Sequence, residues 1–221
     1  EVVGIGIDFT ACTLLPTLRD GTALRTLESF RTNPHAWVKL WKSHSAQPEA
    51  DRINAIGAER SETFLRAYGG KYSSEWALSK ILQTLHDAPE VYRAAERFVE
   101  AGDWLVWRLT GVETRSLSFA GFKAMAVYPP EQEEEGPTAP SVAYPSPDFF
   151  AALHPELRDV VAEKLQAPLL PLGARAGGLT DAMAARLGLR PGTPVASANI
   201  DAHVATPACG VTEPGRMVMI L

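Results

Sequence analysis

Apolar and polar positions follow two different periods along the chain, and their alternation predicts strands followed by helices. Residues 2–8 are β-branched and punctuated by glycine, as is typical of a buried strand. Residues 76–85 carry apolar side chains at the roughly 3.6-residue spacing of an amphipathic helix, which we expect to begin near Glu75. Residues 101–109 are apolar on most sides and predict a buried helix that ends at a Thr-Gly pair.

Prolines and glycines mark further boundaries. Pro34 and Pro48 are each expected to open a helix, because a proline at the first helical position loses no hydrogen bond. Asp20-Gly21 lies between two apolar runs and predicts a β-hairpin. Helices are also expected over residues 149–165 and after Thr180. This order of elements predicts an α/β fold.

The segment around Asp201 combines both patterns. Residues 194–198 predict a short strand with small side chains, and residues 202–209 predict the start of a helix. Asp201 then lies at the edge of the sheet where ligands bind in open α/β folds. An ordinary helix cap explains this aspartate equally simply, because Asp is a favoured capping residue. A final strand is expected from Arg216 onwards.

Composition narrows the functional classes. The chain has 221 residues and a net charge of −5, with no basic stripe to neutralise phosphates, so we expect no nucleic acid partner. No apolar run is long enough to predict a membrane span. The two cysteines, Cys12 and Cys209, have no metal-site or disulfide spacing, which favours a reducing, cytoplasmic setting. Oligomeric state is left open, a homo-oligomer included.

Two stretches stand apart from the regular pattern. Residues 129–147 are rich in proline and carboxylates and predict an exposed loop, because they bury too little apolar area to offset their ordering entropy. The chain also begins and ends inside strand-like patterns, without an initiator Met. We therefore expect it to be a piece of a longer polypeptide.

Four places carry candidate chemistry, each with a plainer alternative. Asp201 and His203 are two residues apart and do not share a helix face, so we expect no dyad and a structural role for His203. The turn over residues 8–13 offers a carboxylate, hydroxyls and a small residue, or is simply a polar turn. Lys123 lies in a small and aromatic run, where it either holds an oxygen-rich ligand or extends its stem along apolar surface.

The fourth place is a set of tryptophans beside charged groups. Trp37, Lys39 and Trp41, with Lys71 and Glu75 further along, suit the wall of a sugar site, because a tryptophan face packs against sugar C–H groups. Tryptophan is also a common core residue, so the hydrophobic core is the alternative.

Taken in order along the chain, seven segments resemble the FGGY carbohydrate kinases. They are GIGIDFTACTLLP, FRTNPHAWVKLWK, YGGKYSSEW, DWLVWRLTG, AGFKA, LPLGARAGGLT and NIDAHVATPACGVTEPGRMVMI. The resemblance implies two actin-like, ribonuclease H-like domains, each a mixed sheet flanked by helices, with sugar and ATP meeting between them. Residues 1–221 then correspond to most of the first, sugar-binding domain, without its first strands, and the nucleotide-binding domain is absent.

The resemblance also implies roles for individual residues. Asp201 matches the catalytic base that takes the proton from the attacking sugar hydroxyl. Ala11 and Lys123 match positions that contact the sugar in ribulokinase-like members. Three further residues lie in matching segments and are assigned to the sugar pocket: Asp8, Trp41 and Glu75.

The implied activity is ATP-dependent phosphorylation of the terminal hydroxyl of L-ribulose in L-arabinose catabolism. ATP and Mg²⁺ are expected to bind mainly outside these residues. Residues 173–178, GARAGG, lack the strand–turn–helix context of a phosphate loop, so no nucleotide or metal ligand is assigned. The chain alone is expected to be inactive.

Three other functions stay open. One is a kinase for another ketopentose or a polyol. Another is a non-catalytic actin-like module that binds a ligand. The third is a hydrolase built on Asp201 and His203, for which the sequence shows neither a nucleophile nor a metal set.

Overall fold

A computed structural model describes residues 1–127 and 142–220. The helices are α1 (Gln47–Glu59), α2 (Ala77–Asp87), α3 (Pro89–Ala94), α4 (Ala101–Thr110), α5 (Leu117–Lys123), α6 (Pro147–Leu153), α7 (Asp181–Leu187) and α8 (Asp201–Ala208). The strands are β1 (Asp8–Phe9), β2 (Leu14–Thr17), β3 (Arg97–Glu100), β4 (Arg115–Ser116), β5 (Leu169–Leu170), β6 (Arg175–Gly178), β7 (Pro194–Ala196) and β8 (Asn199–Ile200). Short 3₁₀ turns cover Leu24–Thr26, Glu28–Phe30, Pro34–Ala36, Thr63–Tyr68 and Pro155–Leu157, and a π-helical turn covers Val161–Leu165. Most of the predicted loop at 129–147 lies outside the described residues.

The strands are short and pair two by two. β1 runs parallel to β8 and β4 runs parallel to β5, whereas β2 with β3 and β6 with β7 are antiparallel. The predicted α/β architecture is confirmed. Within the described ranges, no helix has both the length and the apolar character needed to span a bilayer.

Helices with strong local signals formed where the sequence predicts them. Pro48 lies in the first turn of α1, and α2 begins two residues after Glu75. Gly111 ends α4 with a left-handed φ of 73°, which glycine adopts without steric strain. The Thr180 hydroxyl accepts a hydrogen bond from the Met183 amide at 3.3 Å and so caps α7.

The predicted strand over residues 2–8 is mostly wrong. Only the last position of that range, Asp8, lies in a regular strand, and Ile5 forms an isolated parallel bridge with Val195. The Ile5 amide donates to the Pro194 carbonyl at 2.8 Å, and the Ile7 carbonyl accepts the Asn199 amide at 2.9 Å, so the pairing continues with an irregularity between β7 and β8. The first three residues of the chain are exposed.

The predicted hairpin at Asp20-Gly21 is only half formed. The Gly21 amide donates to the Leu18 carbonyl at 3.1 Å, which makes the tight turn, but a single bridge joins Thr17 to Ala23. β2 pairs with the distant β3 instead, and the chain after Ala23 enters a 3₁₀ turn.

Three further element predictions are corrected. The helix expected after Pro34 ends at Ala36, as a single 3₁₀ turn. The helix expected over 149–165 is broken at Pro155, because proline has no amide hydrogen to donate. The described residues after Arg216 form no strand, and Met217 and Met219 are exposed there.

The two larger hydrophobic clusters of the described residues hold most of these elements together. The larger lies between α1, α2, α3 and α6, with Ile53, Leu82 and Phe149 fully buried. The second lies between α4, α5, α7 and the β7–β8 segment, and it includes Ala11 and Ile200. The second cluster therefore packs directly beneath the edge that carries Asp201.

The last two glycines of the GARAGG stretch, Gly177 and Gly178, allow close packing. A Cβ atom on Gly177 would lie 2.9 Å from the Thr110 Cβ, and one on Gly178 would lie 2.8 Å from the Gly192 carbonyl oxygen. Both distances are below van der Waals contact. These glycines let β6 approach α4 and the turn before β7.

Buried charges lie beside the second cluster. Glu100, Asp103 and Arg115 line a cavity of about 40 Å³. The Asp103 carboxylate accepts the Ser116 amide at 2.9 Å and so joins α4 to β4. Burial raises the pKa of Asp103 to about 7, against the opposing charge of Arg115. Burial, together with the charge of Asp103, raises the pKa of Glu100 to about 8.

We expect the free energy of unfolding to fall as pH rises from about 4 to about 8. The folded protein keeps protons on Asp103 and Glu100 that the unfolded chain releases at lower pH, so this stabilisation is complete below the unfolded pKa values and is lost as pH passes the folded ones. Asp103→Asn, which keeps the Ser116 hydrogen bond, should flatten the slope. Urea denaturation at several pH values measures it.

The exposed Asp148, which pairs with Arg158 at 2.9 Å, provides the control. Asp148→Asn should leave the slope near that of the unmodified protein, because exposed ion pairs contribute little. Equal slopes for Asp103→Asn and the unmodified protein would contradict the assignment.

Candidate functional site

Asp201 lies at the end of β8 as the first residue of α8. Its side chain is exposed, and its Oδ1 accepts the Ala202 amide at 2.7 Å. The residue in the N-cap position of α8 is Ile200, which makes no side-chain capping hydrogen bond. Asp201 is therefore not the N-cap residue that the alternative interpretation predicted. Negative charge is favoured in the first turn of a helix. The carboxylate is therefore held at the sheet edge and open to solvent.

Asp8 lies at the same edge on the neighbouring strand. β1 and β8 are parallel, with Asp8 opposite Asn199 and Phe9 opposite Ile200. The carboxyl ends of both strands therefore meet at one edge. Asp8 is exposed, and the turn that follows it leaves the sheet at the level of Asp201.

The turn after β1 is held in an unusual conformation. Cys12 has a left-handed φ of 64°, which non-glycine residues seldom adopt. The two carboxylate oxygens of Glu100 accept the amides of Cys12 and Thr13, each at 3.0 Å. Ala11 in this turn is 6 % exposed and packs into the second hydrophobic cluster. The turn therefore presents mainly its backbone and a small apolar edge.

Lys80 anchors this turn from the opposite side. The Lys80 side chain, on α2, is buried, and its ammonium donates to the carbonyls of Cys12, Leu40 and Trp41 at 2.7, 2.9 and 3.0 Å. All three ammonium protons are thereby bound. Burial lowers the pKa of Lys80 from its ordinary value, and the charges of neighbouring carboxylates oppose the shift. One side chain thus joins the Ala11 turn to the Trp41 loop.

Glu75 and Trp41, which the sequence predicts to line a sugar pocket, lie near Lys80. Glu75 lies just before α2, mostly buried, and its Oε1 is 3.1 Å from the His44 Nε2. Its charge acts on Lys80. Trp41 is 40 % exposed, and its carbonyl is one of the acceptors of Lys80. The structure therefore brings Ala11, Trp41 and Glu75 around Lys80.

Lys123 is the last residue of α5, and two tyrosines hold its backbone in place. Tyr72 donates its hydroxyl to the Lys123 carbonyl at 2.7 Å. Tyr68 donates to the Gly121 carbonyl at 3.1 Å and accepts the Met125 amide at 2.9 Å. Met125, like Cys12, has a left-handed φ, here 67°.

The charges of both Lys80 and Lys123 act on the Cys12 thiol. Burial raises the pKa of the Cys12 thiol, and Glu100 adds to the shift, whereas the charges of Lys80 and Lys123 oppose it. Tyr72 links the two regions by geometry, because its hydroxyl binds both the Lys123 carbonyl and the Leu78 amide of α2, at 2.7 and 3.2 Å.

Phe122 joins Lys123 to His203, which lies two residues after Asp201 on α8. The Lys123 ammonium lies 4.9 Å from the centre of the Phe122 ring, and that ring meets His203 edge to face at 4.9 Å. His203 Nδ1 also hydrogen-bonds to the Ser118 hydroxyl at 3.1 Å. Burial lowers the pKa of His203, against the charge of Asp201. These contacts are the structural role predicted for His203, and they hold α5 against α8.

Only part of the predicted set of tryptophans and charged residues, namely Trp41 and Glu75, lies near Lys80. Trp37 packs against the Arg25 guanidinium, 4.6 Å from the ring centre, and donates to the Arg31 carbonyl at 3.0 Å. Trp37 is partly exposed, so it is not the core residue that the alternative predicted. Its contacts do not connect it to the residues around Lys80. Lys39 hydrogen-bonds to His35 at 2.9 Å, and Lys71 is exposed.

Sequence reasoning missed the residues that hold the site. Lys80 does not lie on the apolar face that the sequence predicts for α2. The helical pattern therefore gives no sign that this residue is buried. Glu100 carried a usable signal, because it interrupts an apolar run just before α4. Tyrosine is common both on surfaces and in cores, so the sequence does not single out Tyr68 or Tyr72. Only the hydrogen bonds of their hydroxyl groups show that they hold the end of α5.

The arrangement has the groups for moving a proton on a polyhydroxylated ligand. It combines an exposed carboxylate, a half-buried ammonium and a rigid backbone turn at one sheet edge. The described residues bring no three His, Cys, Asp or Glu side chains into a group that would hold a metal ion.

Known proteins of similar sequence match the whole chain. It is 49 % identical over 221 residues to the ribulokinase of Bacillus licheniformis and 51 % identical to that of Shouchella clausii. The chain spans 38 % and 37 % of the length of those two relatives. No protein-family model matches it.

Solved structures share the fold. A xylulose kinase from Bifidobacterium adolescentis matches 94 % of this chain, and 43 % of its own, with a TM-score of 0.66 at 16 % identity. A ligand-bound xylulose kinase from Lactobacillus acidophilus matches 93 % of this chain, and 36 % of its own, with a TM-score of 0.63 at 13 % identity. The predicted actin-like, ribonuclease H-like fold is confirmed, as an incomplete domain. The chain belongs to the FGGY carbohydrate kinase family, and its whole length is homologous to a segment of ribulokinases.

Proposed function

We propose that this chain forms the sugar site and carries the catalytic base of an ATP-dependent kinase that phosphorylates the terminal hydroxyl of L-ribulose. The observation that carries the proposal is the exposed Asp201 carboxylate at the sheet edge, on the helix whose His203 packs against Phe122 beside Lys123. The relatives named ribulokinase support L-ribulose as the acceptor.

Asp201 accepts the proton of the attacking hydroxyl as that oxygen bonds to the terminal phosphorus of ATP. The bond from that phosphorus to the bridging oxygen breaks, and ADP leaves with the electron pair. Phosphoryl transfer has a loose transition state, so positioning and charge stabilisation supply most of the rate. Because Asp201 begins α8, its position is set by backbone geometry rather than by a flexible loop.

Lys123 holds a sugar oxygen as a point charge. The Ala11 turn, Trp41 and Glu75 line the rest of the pocket around Lys80, and Asp8 borders it at the sheet edge. A small residue at Ala11 leaves room for the sugar beside the turn. The tyrosines that hold α5 keep the Lys123 backbone fixed while its side chain reaches the ligand.

ATP supplies the transferred phosphoryl group, and a divalent cation such as Mg²⁺ is proposed to accompany it. Because the described residues form no metal-binding group, we assign no ligand to that ion and derive no step through it. The proposal includes a cytoplasmic enzyme that serves L-arabinose breakdown, which rests on the family resemblance. Steady-state turnover of L-ribulose, D-xylulose and a polyol by the complete natural polypeptide that carries this sequence tests the acceptor, and L-ribulose should have the highest kcat/KM.

Replacing the base should impair chemistry rather than binding. Asp201→Asn in that polypeptide is expected to lower kcat by at least about 10²-fold with little change in the KM for L-ribulose, because a general base typically contributes about 10²–10⁴-fold in rate. A coupled ADP-release assay measures both constants.

Asp181 is the matched control, since it is also exposed and also begins a helix. Asp181→Asn should leave kcat unchanged. If Asp201→Asn retains the kcat of the unmodified enzyme, the base is wrongly assigned.

Replacing Lys123 should impair sugar binding. Lys123→Met is expected to raise the KM for L-ribulose by about tenfold or more, because a hydrogen bond to a charged group contributes about 1.5–3 kcal/mol. The KM for ATP is the internal control and should stay near its original value. Equal KM values for L-ribulose in both proteins would remove Lys123 from the pocket.

A further inference from the structure

We propose that Lys80 is a positioning residue that sets the shape of the sugar pocket before the sugar binds. Its ammonium holds the backbones of two separate pocket segments, the Ala11–Cys12 turn and the Leu40–Trp41 loop. This inference rests on the proposed function, because it deepens the role of the same site. Lys80 itself is 2 % exposed, so it acts through the backbone and not by touching the sugar.

The energetics favour positioning over stability as the reason for a buried lysine. Removing an ammonium from water is strongly unfavourable, and well-packed apolar residues often replace buried charges without loss of stability. An apolar side chain in α2 would fill the space but would leave the carbonyls of Cys12, Leu40 and Trp41 without a donor. Only a long cationic side chain joins these three acceptors, which come from two loops without regular structure of their own.

Backbone strain in the turn points the same way. A left-handed non-glycine residue is unfavourable by about 1–3 kcal/mol and persists only where its surroundings impose it. At Cys12 the imposing contacts are Lys80 on the carbonyl and Glu100 on the amide, at 2.7 and 3.0 Å. The next amide, of Thr13, is bound by Glu100 as well. Two buried side chains therefore hold the strained turn from both sides, Lys80 as a donor to its carbonyl and Glu100 as an acceptor of its amides.

The same ammonium lies among the residues assigned to the sugar. Glu75 precedes α2 and its charge acts on Lys80, and Lys123 acts on Lys80 from α5. Displacement of the two loops therefore alters the pocket on more than one side. A shift of about 1 Å in a positioning element can reduce catalysis by about 10²-fold.

The test compares two buried lysines in the complete natural polypeptide. Lys80→Met is expected to raise the KM for L-ribulose by at least about tenfold and to leave the KM for ATP within about twofold. Lys164 is the control: it is also buried, donates to the Ala95 carbonyl, and lies 4.8 Å from the Tyr92 ring, outside the candidate site. Lys164→Met should leave both KM values unchanged, whatever its effect on stability.

Hydrogen exchange on the unmodified protein tests the proposal even if Lys80→Met does not fold. Without sugar, the amides of Cys12 and Thr13 should already exchange slowly, and saturating L-ribulose should change their rates less than about threefold. Rapid exchange that slows only when sugar is added would overturn the proposal. So would an unchanged KM in Lys80→Met, or an equal rise in Lys164→Met. Failure of the proposed function is a separate result, in which the unmodified enzyme phosphorylates no sugar at all.

Discussion

The parallel pairing of β1 with β8 is the constraint on which the candidate site depends. It sets Asp8 opposite Asn199 and brings the turn after β1 to the same sheet edge as Asp201. Two residues of pairing provide few backbone hydrogen bonds, so the second hydrophobic cluster beneath the strands supplies much of the stabilisation. Ala11 and Ile200 belong to that cluster, so the hydrophobic packing that stabilises the core also positions the site.

The segments that surround the site have little regular structure, and side chains from elsewhere in the chain hold them. Lys80 and Glu100 bind the backbone of the Ala11 turn, while Tyr68 and Tyr72 bind the end of α5. These four side chains come from well-packed elements or from the residues next to them. Their hydrogen bonds therefore fix the loops to the rigid core. This explains how two left-handed non-glycine residues, Cys12 and Met125, persist close to the pocket.

Element predictions succeeded where the signal lies within a few residues. The proline of α1, the Gly111 terminus of α4 and the Thr180 cap of α7 act on their own helix, so the sequence alone reveals them. Strand predictions failed because a strand needs a partner: residues 2–8 meet an interrupted neighbour, and β2 finds β3 about eighty residues away instead of closing a hairpin. The break of the helix expected over 149–165 also has a local signal, since Pro155 lies in the sequence at the point where the helix ends.

The sequence by itself determined the α/β class, the family and the placement of Asp201 between a strand and a helix, because these follow from local order and from motifs read along the chain. Only the tertiary structure decided which groups meet. It joined the Cys12 backbone to that of Trp41 through Lys80, and Lys123 to His203 of the Asp201 helix through Phe122. The physical reason is that a polar side chain becomes buried only when other elements pack against its side of the helix or strand. The pattern of apolar residues in the sequence reveals only the side that faces the hydrophobic core.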